Sequence, residues 1–295
     1  MPTLLDFRRR IRSVKNTQQI TRAMKFIAAA RLRRAQETAL SLRPYATGIR
    51  EVLRSAMSRI ENPDQFPMLA HRPEDRVLVL VAAGERGLAG AFNANVLRTA
   101  FEFIKSKGGK SVEVIPIAKK SREAFRKRDY KIVAEYVDVT TKADLKVART
   151  ITAEVMKIYE AHQADSVYLI YNEFKNVMAA TLRVEKLLPL EREALAGHEK
   201  GAPPASSAEN VDYIYEQPAA EIFNKLVPRY VEMQVYRMLA ETSAAEHAAR
   251  MTAMESATSN ASDVIDALTL HMNKVRQAAI TREIIEVVSG AASAG

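Results

Sequence analysis

Met251-Thr-Ala-Met254-Glu-Ser-Ala-Thr258-Ser-Asn-Ala261-Ser-Asp-Val-Ile265-Asp-Ala-Leu268-Thr-Leu-His-Met272-Asn-Lys-Val275-Arg-Gln-Ala-Ala279 sets its numbered members at alternating spacings of three and four. That alternation is the seam of a coiled-coil helix, one stripe of small and apolar side chains on an otherwise polar surface. No glycine interrupts the chain from Glu221 to Val288. If helical throughout, that stretch reaches roughly 100 Å at 1.5 Å per residue. A 295-residue chain cannot fold such a length into one compact domain. The helix therefore protrudes and needs a partner.

The partner is at the other end of the chain. Thr3-Leu-Leu-Asp6 reads as a helix start with Thr3 as N-cap, and Leu4, Phe7, Ile11 and Val14 follow at heptad spacing. The stripe is then expected to shift phase through Ile20, Met24 and Ile27 before resuming at Ala28, Leu32, Ala35, Ala39 and Leu42. That shift would deny the helix one straight seam. Pro44 is expected to kink or interrupt the helix, which Ile49, Val52, Leu53, Ala56, Met57 and Ile60 then continue.

The middle of the chain has another texture. Strands are expected at Val77–Val81, Val112–Ala118, Lys131–Tyr136, Val167–Glu173 and, antiparallel to its neighbour, Met178–Leu188. Helices are expected near Ala91–Lys107, Lys119–Asp129 and Ala143–His162. Alternation of this kind implies a largely parallel α/β sheet. The fold class is thus α/β: a long antiparallel two-helix coiled coil built from both termini, with an inserted Rossmann-like domain. The expected divisions are 1–60 for the first helix, 61–75 for a connector, 76–190 for the α/β domain, 191–212 for a polar linker and 213–295 for the last helix.

The chain carries a net charge of +9, which favours acidic surroundings. Arg8, Arg9, Arg10, Arg12, Lys15, Arg22, Lys25, Arg31, Arg33 and Arg34 follow one another with no acidic residue between them. Like charges along one helix repel, so an acidic counter-surface explains the run better than solvent does. There is no cysteine, which excludes disulfides, thiolate metal sites and a cysteine nucleophile. No apolar run approaches the ~18 residues of a membrane span, and the start does not read as a signal peptide.

Nothing in the chain reads as an active site. Gly84-Glu-Arg-Gly87-Leu-Ala-Gly90 sits between a strand and a helix, where a nucleotide loop would lie, but fits neither the dinucleotide fingerprint nor a P-loop. A tight turn with close helix packing is the default there. His71, His162, His198, His247 and His271 are scattered without ligand spacing. Three non-catalytic readings remain: a basic rod on nucleic acid, a rod on an anionic membrane, or a protein–protein shaft. Only the shaft uses both the excess length and the tail Ile284-Ile-Glu-Val-Val-Ser-Gly-Ala-Ala-Ser-Ala-Gly295, whose small and apolar side chains suit a greasy socket.

Ile11-Arg-Ser-Val-Lys-Asn-Thr-Gln-Gln-Ile-Thr-Arg-Ala-Met24 resembles the N-terminal signature of the gamma subunits of F-type ATP synthases. Glu246-His-Ala-Ala-Arg-Met-Thr-Ala-Met254 and Asn273-Lys-Val-Arg-Gln-Ala-Ala-Ile-Thr-Arg-Glu-Ile-Ile-Glu-Val-Val-Ser-Gly-Ala291 resemble their C-terminal signatures. Arg86-Gly-Leu-Ala-Gly-Ala-Phe-Asn-Ala-Asn95 resembles the start of their central domain, with Ala89 where many members carry cysteine. The resemblance implies a non-catalytic central rotor stalk without cofactor. Its partners would be three alpha and three beta subunits, an epsilon subunit and the membrane c ring. It would sit peripherally at the cytoplasmic face of the bacterial inner membrane, and would not bind nucleic acid.

By position, the resemblance assigns Arg276, Gln277, Thr281 and Glu283 to the beta catch loops. Met24, Lys25 and Arg250 fall in the coupling region. Arg9, Arg10, Arg31, Arg33 and Arg34 would face acidic loops of beta, and Tyr213, Tyr215 and Glu216 the c ring. A solvated surface remains the plain alternative for any single arginine among them.

Overall fold

The computed structural model describes residues 3–60, 66–70, 72–141, 143–177, 179–191 and 218–293. Its elements are α1 (Leu4–Ser58), β1 (Arg76–Ala82), α2 (Phe92–Ser106), β2 (Ser111–Ile117), α3 (Lys119–Arg126), α4 (Leu145–Glu160), β3 (Ser166–Asn176), β4 (Ala179–Leu188) and α5 (Ala219–Ser293). The chain divides into two compact units. The first takes Met1–Ala29 with Arg250–Gly295, and the second Ala30–Ala249.

The first unit is a pair of helices. At the start of α1, the amide and hydroxyl of Thr3 donate to Asp6 Oδ2 at 2.9 and 2.8 Å, while the Asp6 amide donates back to Thr3 Oγ1 at 3.3 Å. These reciprocal bonds occupy donors that a helix start leaves orphaned. The hydrogen bonds hold the Asp6 carboxyl below the usual range, with Arg9 and Arg10 adding to the effect. Phe7 stacks obliquely on His271 with ring centres 5.0 Å apart. Thr21 meets Thr258, and Lys25 meets Glu255. Residue numbers rise along one helix as they fall along the other, so the two run antiparallel.

The stripe Met251, Met254, Thr258, Ala261, Ile265, Leu268, Met272, Val275 and Ala279 is buried or half-buried throughout. In α1 the expected phase shift does not occur. Leu4, Phe7, Ile11, Val14, Gln18, Thr21, Lys25 and Ala28 form one unbroken three-four stripe, and Ile20, Phe26 and Ile27 stay exposed. Gln18, Thr21 and Lys25 hold seam positions because polar partners meet the two latter side chains across it. Counting apolar residues alone misses such a stretch.

The second unit is layered. Its sheet has the order β2-β1-β3-β4, with β1 parallel to both β2 and β3, and β4 antiparallel to β3. Along β1, Val77, Val79 and Val81 face α2 and α3, meeting Val96, Ala100, Ile104 and Phe125. Leu78, Leu80 and Ala82 face the other way, into a core with Ile151 and Val155 of α4, Leu53 and Met57 of α1, and Val231, Val235 and Met238 of α5. A strand buried on both faces reads as a continuous apolar run, which is what Val77–Val81 is.

One expectation fails here outright, and that for Pro44 fails as to interruption of the helix. Lys131–Tyr136 is not a strand but two isolated bridges, Val114 with Ile132 and Ile117 with Tyr136. The Val114 amide donates to the Lys131 carbonyl and its carbonyl accepts from Val133. Two residues on, the same edge presents Pro116, whose carbonyl accepts from Tyr136 but which has no N–H to give. The ladder breaks at that position and resumes one residue out of register, where the Ala118 amide donates to the Tyr136 carbonyl.

Pro44 does not end α1, which stays helical from Leu4 to Ser58. The bond lost is the one to the Leu40 carbonyl, and both residues are exposed, so water can serve that oxygen. Ala46, Ile49 and Leu53, all buried, anchor the turns that follow. Pro228 lies within α5 in the same way.

Candidate functional site

Carried back from the Phe7–His271 contact, the antiparallel register sets Leu4, at the head of α1, near Val275. Helix α5 runs on to Ser293, past the first described turn of its partner. From Ile280 to Ser289 every side chain is accordingly exposed, including Ile280, Ile284, Ile285, Val287 and Val288, with Val287 at 71%. Fully burying one such side chain is worth about 1.5–3 kcal/mol. A helical tip that leaves five of them in water is built to be covered.

Arg276, Gln277, Thr281 and Glu283 all lie exposed on this terminal stretch. Arg276 and Glu283, two turns apart, share one face. Gln277 and Thr281, one turn apart, share the next, where the Thr281 hydroxyl donates to the Gln277 carbonyl at 3.0 Å. The structure thus groups all four on one segment with side chains free to meet another surface.

The coupling-region residues are more enclosed. Met24 and Lys25 are half-buried and Arg250 is buried. Lys25 Nζ lies 2.6 Å from Glu255 Oε1, across the seam and one turn from the Thr21–Thr258 pair. Small and polar side chains here leave a groove of about 630 Å³ lined by Gln18, Arg22, Lys25, Phe26, Glu255 and Thr258. Sequence reading did not single out Glu255, Thr258 or Gln18 for this place. The signal available was polarity at seam positions of both stripes.

Arg9 and Arg10 in the first unit, and Arg31, Arg33 and Arg34 in the second, are exposed. Arg33 Nε lies 3.2 Å from Glu37 Oε1 one turn on, but its side chain is 84% exposed, so that pair is worth little. Tyr213, Tyr215 and Glu216 lie outside the described residues, with most of the 191–212 linker.

The glycine-punctuated turn after β1 is already filled by carboxylates of this chain. The amide of Lys119, first residue of α3, donates to Glu85 Oε2 at 3.0 Å, and the Val139 amide donates to Glu85 Oε1 at 3.0 Å. Glu246 of α5 takes the Glu85 amide on its Oε2 at 3.3 Å. A phosphate would meet two buried anions there, so the turn serves packing. Among the described residues, no cluster of histidine and acidic side chains could hold a metal, and no helix is long and apolar enough to cross a membrane.

The family model described as ATP synthase matches residues 3–294. The ATP synthase gamma chain of Solibacter usitatus is 47% identical over the full length of both chains, and that of Pelotomaculum thermopropionicum 43% identical over 99% of each. Among solved structures, a chain of the Euglena gracilis mitochondrial ATP synthase rotor shares the fold with a TM-score of 0.63. It is 18% identical, and the match covers 94% of this chain and 98% of that one. Two helices paired in antiparallel and a mixed sheet agree with these likenesses: the chain belongs to the ATP synthase gamma-chain family.

Proposed function

We propose that this chain turns as the rotor shaft of a bacterial ATP synthase, carrying rotation of a membrane c ring to three alpha and three beta subunits. The tip of α5 sits in the socket of the alpha/beta ring, with Arg276, Gln277, Thr281 and Glu283 against the beta catch loops. Met24, Lys25 and Arg250 lie in the region that governs coupling. Arg9, Arg10, Arg31, Arg33 and Arg34 face acidic loops of beta. Tyr213, Tyr215 and Glu216 meet the c ring beside an epsilon subunit, at the cytoplasmic face of the inner membrane. By the same reading, residues 1–60 and 213–295 are the shaft, 76–190 the foot, and 61–75 and 191–212 the connections.

One observation carries this reading: the overrun of α5 past its partner, with exposed Ile280, Ile284, Ile285, Val287 and Val288. One asymmetric object inside a threefold ring presents a different face to each site. One charge crossing about 100 mV yields roughly 2.3 kcal/mol, so several translocations must be stored per ATP in the shaft.

Because the chain has no cysteine, Lys127→Cys gives a unique attachment point. A bead or fluorophore placed there, in a complex reconstituted with alpha, beta and epsilon, turns in one direction on ATP addition. A probe that stays fixed while the complex hydrolyses ATP defeats the rotor reading.

A further inference from the structure

The turn that follows β1 grips α5 in a way that packing alone does not require. The Gly84 amide donates to Asn93 Oδ1 at 2.8 Å, and Asn93 Nδ2 donates to the Arg86 carbonyl at 3.2 Å, so the asparagine staples the turn closed. The closed turn brings Gly84 so near α5 that a Cβ there would lie 2.8 Å from Glu246 Cδ and 2.9 Å from Asn93 Oδ1. Any larger residue there would have to push the Glu246 and Asn93 side chains aside. Beside it, Ala89 and Phe92 pack on Ala245, with Ala249 and Phe174 around them.

Glu85 carries the connection into the rest of the unit. It is buried, and its carboxylate accepts from Lys119 at the head of α3 and from Val139 on the following loop, while its own amide reaches Glu246. The residue before α3, Ala118, has φ +75°, a conformation L residues rarely adopt, at the point where the Lys119 amide is presented to Glu85. Two buried carboxylates on neighbouring residues are costly unless each is fully bonded. A well-packed apolar turn would stabilise the unit without that cost. Along α5 the contact lies past Arg237, which reaches Glu173 of β3 at 3.2 Å, and one turn before Arg250, where the other compact unit begins.

We infer that the turn Gly84–Asn93, through Glu85 and Glu246, is a torque clamp: it fixes the α/β unit to α5 against rotation of the helix about its own axis. The inference rests on the rotor reading above. Interdigitated apolar side chains already resist turning of α5, and a hydrogen-bonded carboxylate held by a closed turn adds a directional restraint at the last turn before Arg250. Glu246 and Glu85 are positioning residues in this scheme, acting through α5 on the sites that α5 contacts.

The experiment uses complexes assembled with alpha, beta and epsilon on a c ring in inverted membranes. It reads the ratio of ATP-driven proton pumping to ATP hydrolysis. Glu246→Ala lowers that ratio roughly three- to tenfold at unchanged hydrolysis, Gly84→Ala lowers it similarly, and Glu246→Gln, whose amide oxygen still accepts from Glu85, restores most of it. Gly87→Ala, with nothing near its added methyl, leaves it unchanged. A merely structural role would lower the yield of complex, and pumping and hydrolysis in proportion. Should Glu246→Ala fail to assemble, Asn93→Ala carries the same comparison. An unchanged ratio in Glu246→Ala and Gly84→Ala overturns the clamp while the wild-type chain still pumps. A wild-type chain that yields no pumping complex overturns the rotor reading instead.

Discussion

The Thr21 and Thr258 hydroxyls meet 2.8 Å apart across the seam between α1 and α5. Each also reaches back along its own helix, Thr21 to the Gln18 carbonyl at 3.0 Å and Thr258 to the Met254 carbonyl at 2.7 Å. Two hydroxyl protons serve three short contacts, so the pair is bonded whichever way it is oriented. A polar pair at an otherwise apolar seam fixes register, because sliding either helix would leave a hydroxyl against hydrocarbon.

Replacing one partner should therefore cost more than replacing both. Thr258→Val leaves the Thr21 hydroxyl with the Gln18 carbonyl alone and puts a methyl against it, and is expected to destabilise the chain by about 1 kcal/mol, while Thr21→Val with Thr258→Val recovers part of it. Urea unfolding of the two single variants and the double variant measures the coupling. Strictly additive losses would show that the hydroxyls ignore each other.

Pro44 sits inside a helix that its neighbours hold in place. Pro44→Ala restores the missing bond to the Leu40 carbonyl and is expected to raise stability by about 1 kcal/mol or more. Thermal melting of the isolated chain reads this directly. A lower melting temperature would mean that the proline is required by a local bend.

Acid sensitivity should concentrate at Glu74. Burial pushes its carboxyl up, but hydrogen bonds from Lys110, Tyr168, Lys107 and Ser166 outweigh burial and hold it well below the usual range. A depressed acid contributes its full stabilisation above the ordinary glutamate pKa and loses it as pH falls toward its folded value. Glu74→Gln is expected to cost about 2 kcal/mol at pH 7 and progressively less below pH ~4. The Tyr168 hydroxyl, raised by burial and by Glu74, runs the other way: its share is present below the ordinary tyrosine pKa and fades at strongly alkaline pH. Denaturant midpoints across pH for both forms give the slopes. Parallel pH curves would remove Glu74 from the account.

The tip separates stability from function. Arg276→Glu with Gln277→Leu, and separately Ile285→Asp, replace exposed side chains and should move the unfolding free energy of the isolated chain by no more than about 0.5 kcal/mol. ATP synthesis by the assembled complex in energised vesicles is nevertheless expected to fall with Arg276→Glu/Gln277→Leu while the complex stays isolable. Normal synthesis would remove the catch-loop assignment. Ile285→Asp should weaken retention of the chain by the alpha/beta ring, and undiminished retention would mean that the ring leaves the tip uncovered.

Spacing alone marked the α5 stripe and the doubly buried β1, because apolar periodicity of three-four or an unbroken Val-Leu run leaves few other ways to keep hydrocarbon from water. It also placed the helix start at Thr3, where hydroxyl and carboxylate three residues apart can bond only by closing a turn. What spacing could not weigh was any interaction whose second member is remote in the chain. Thr21 and Lys25 look like breaks in the stripe until Thr258 and Glu255 arrive opposite. Pro116 looks harmless in β2 until a second chain segment needs its missing proton. Gly84 looks like an ordinary turn until Glu246 occupies the space of its absent Cβ. Local pattern determined which surfaces must be covered; register, the clamp on α5 and the bare tip from Ile280 onward were decided by tertiary structure, since each depends on which residues, remote in the chain, come to lie opposite one another or find nothing opposite.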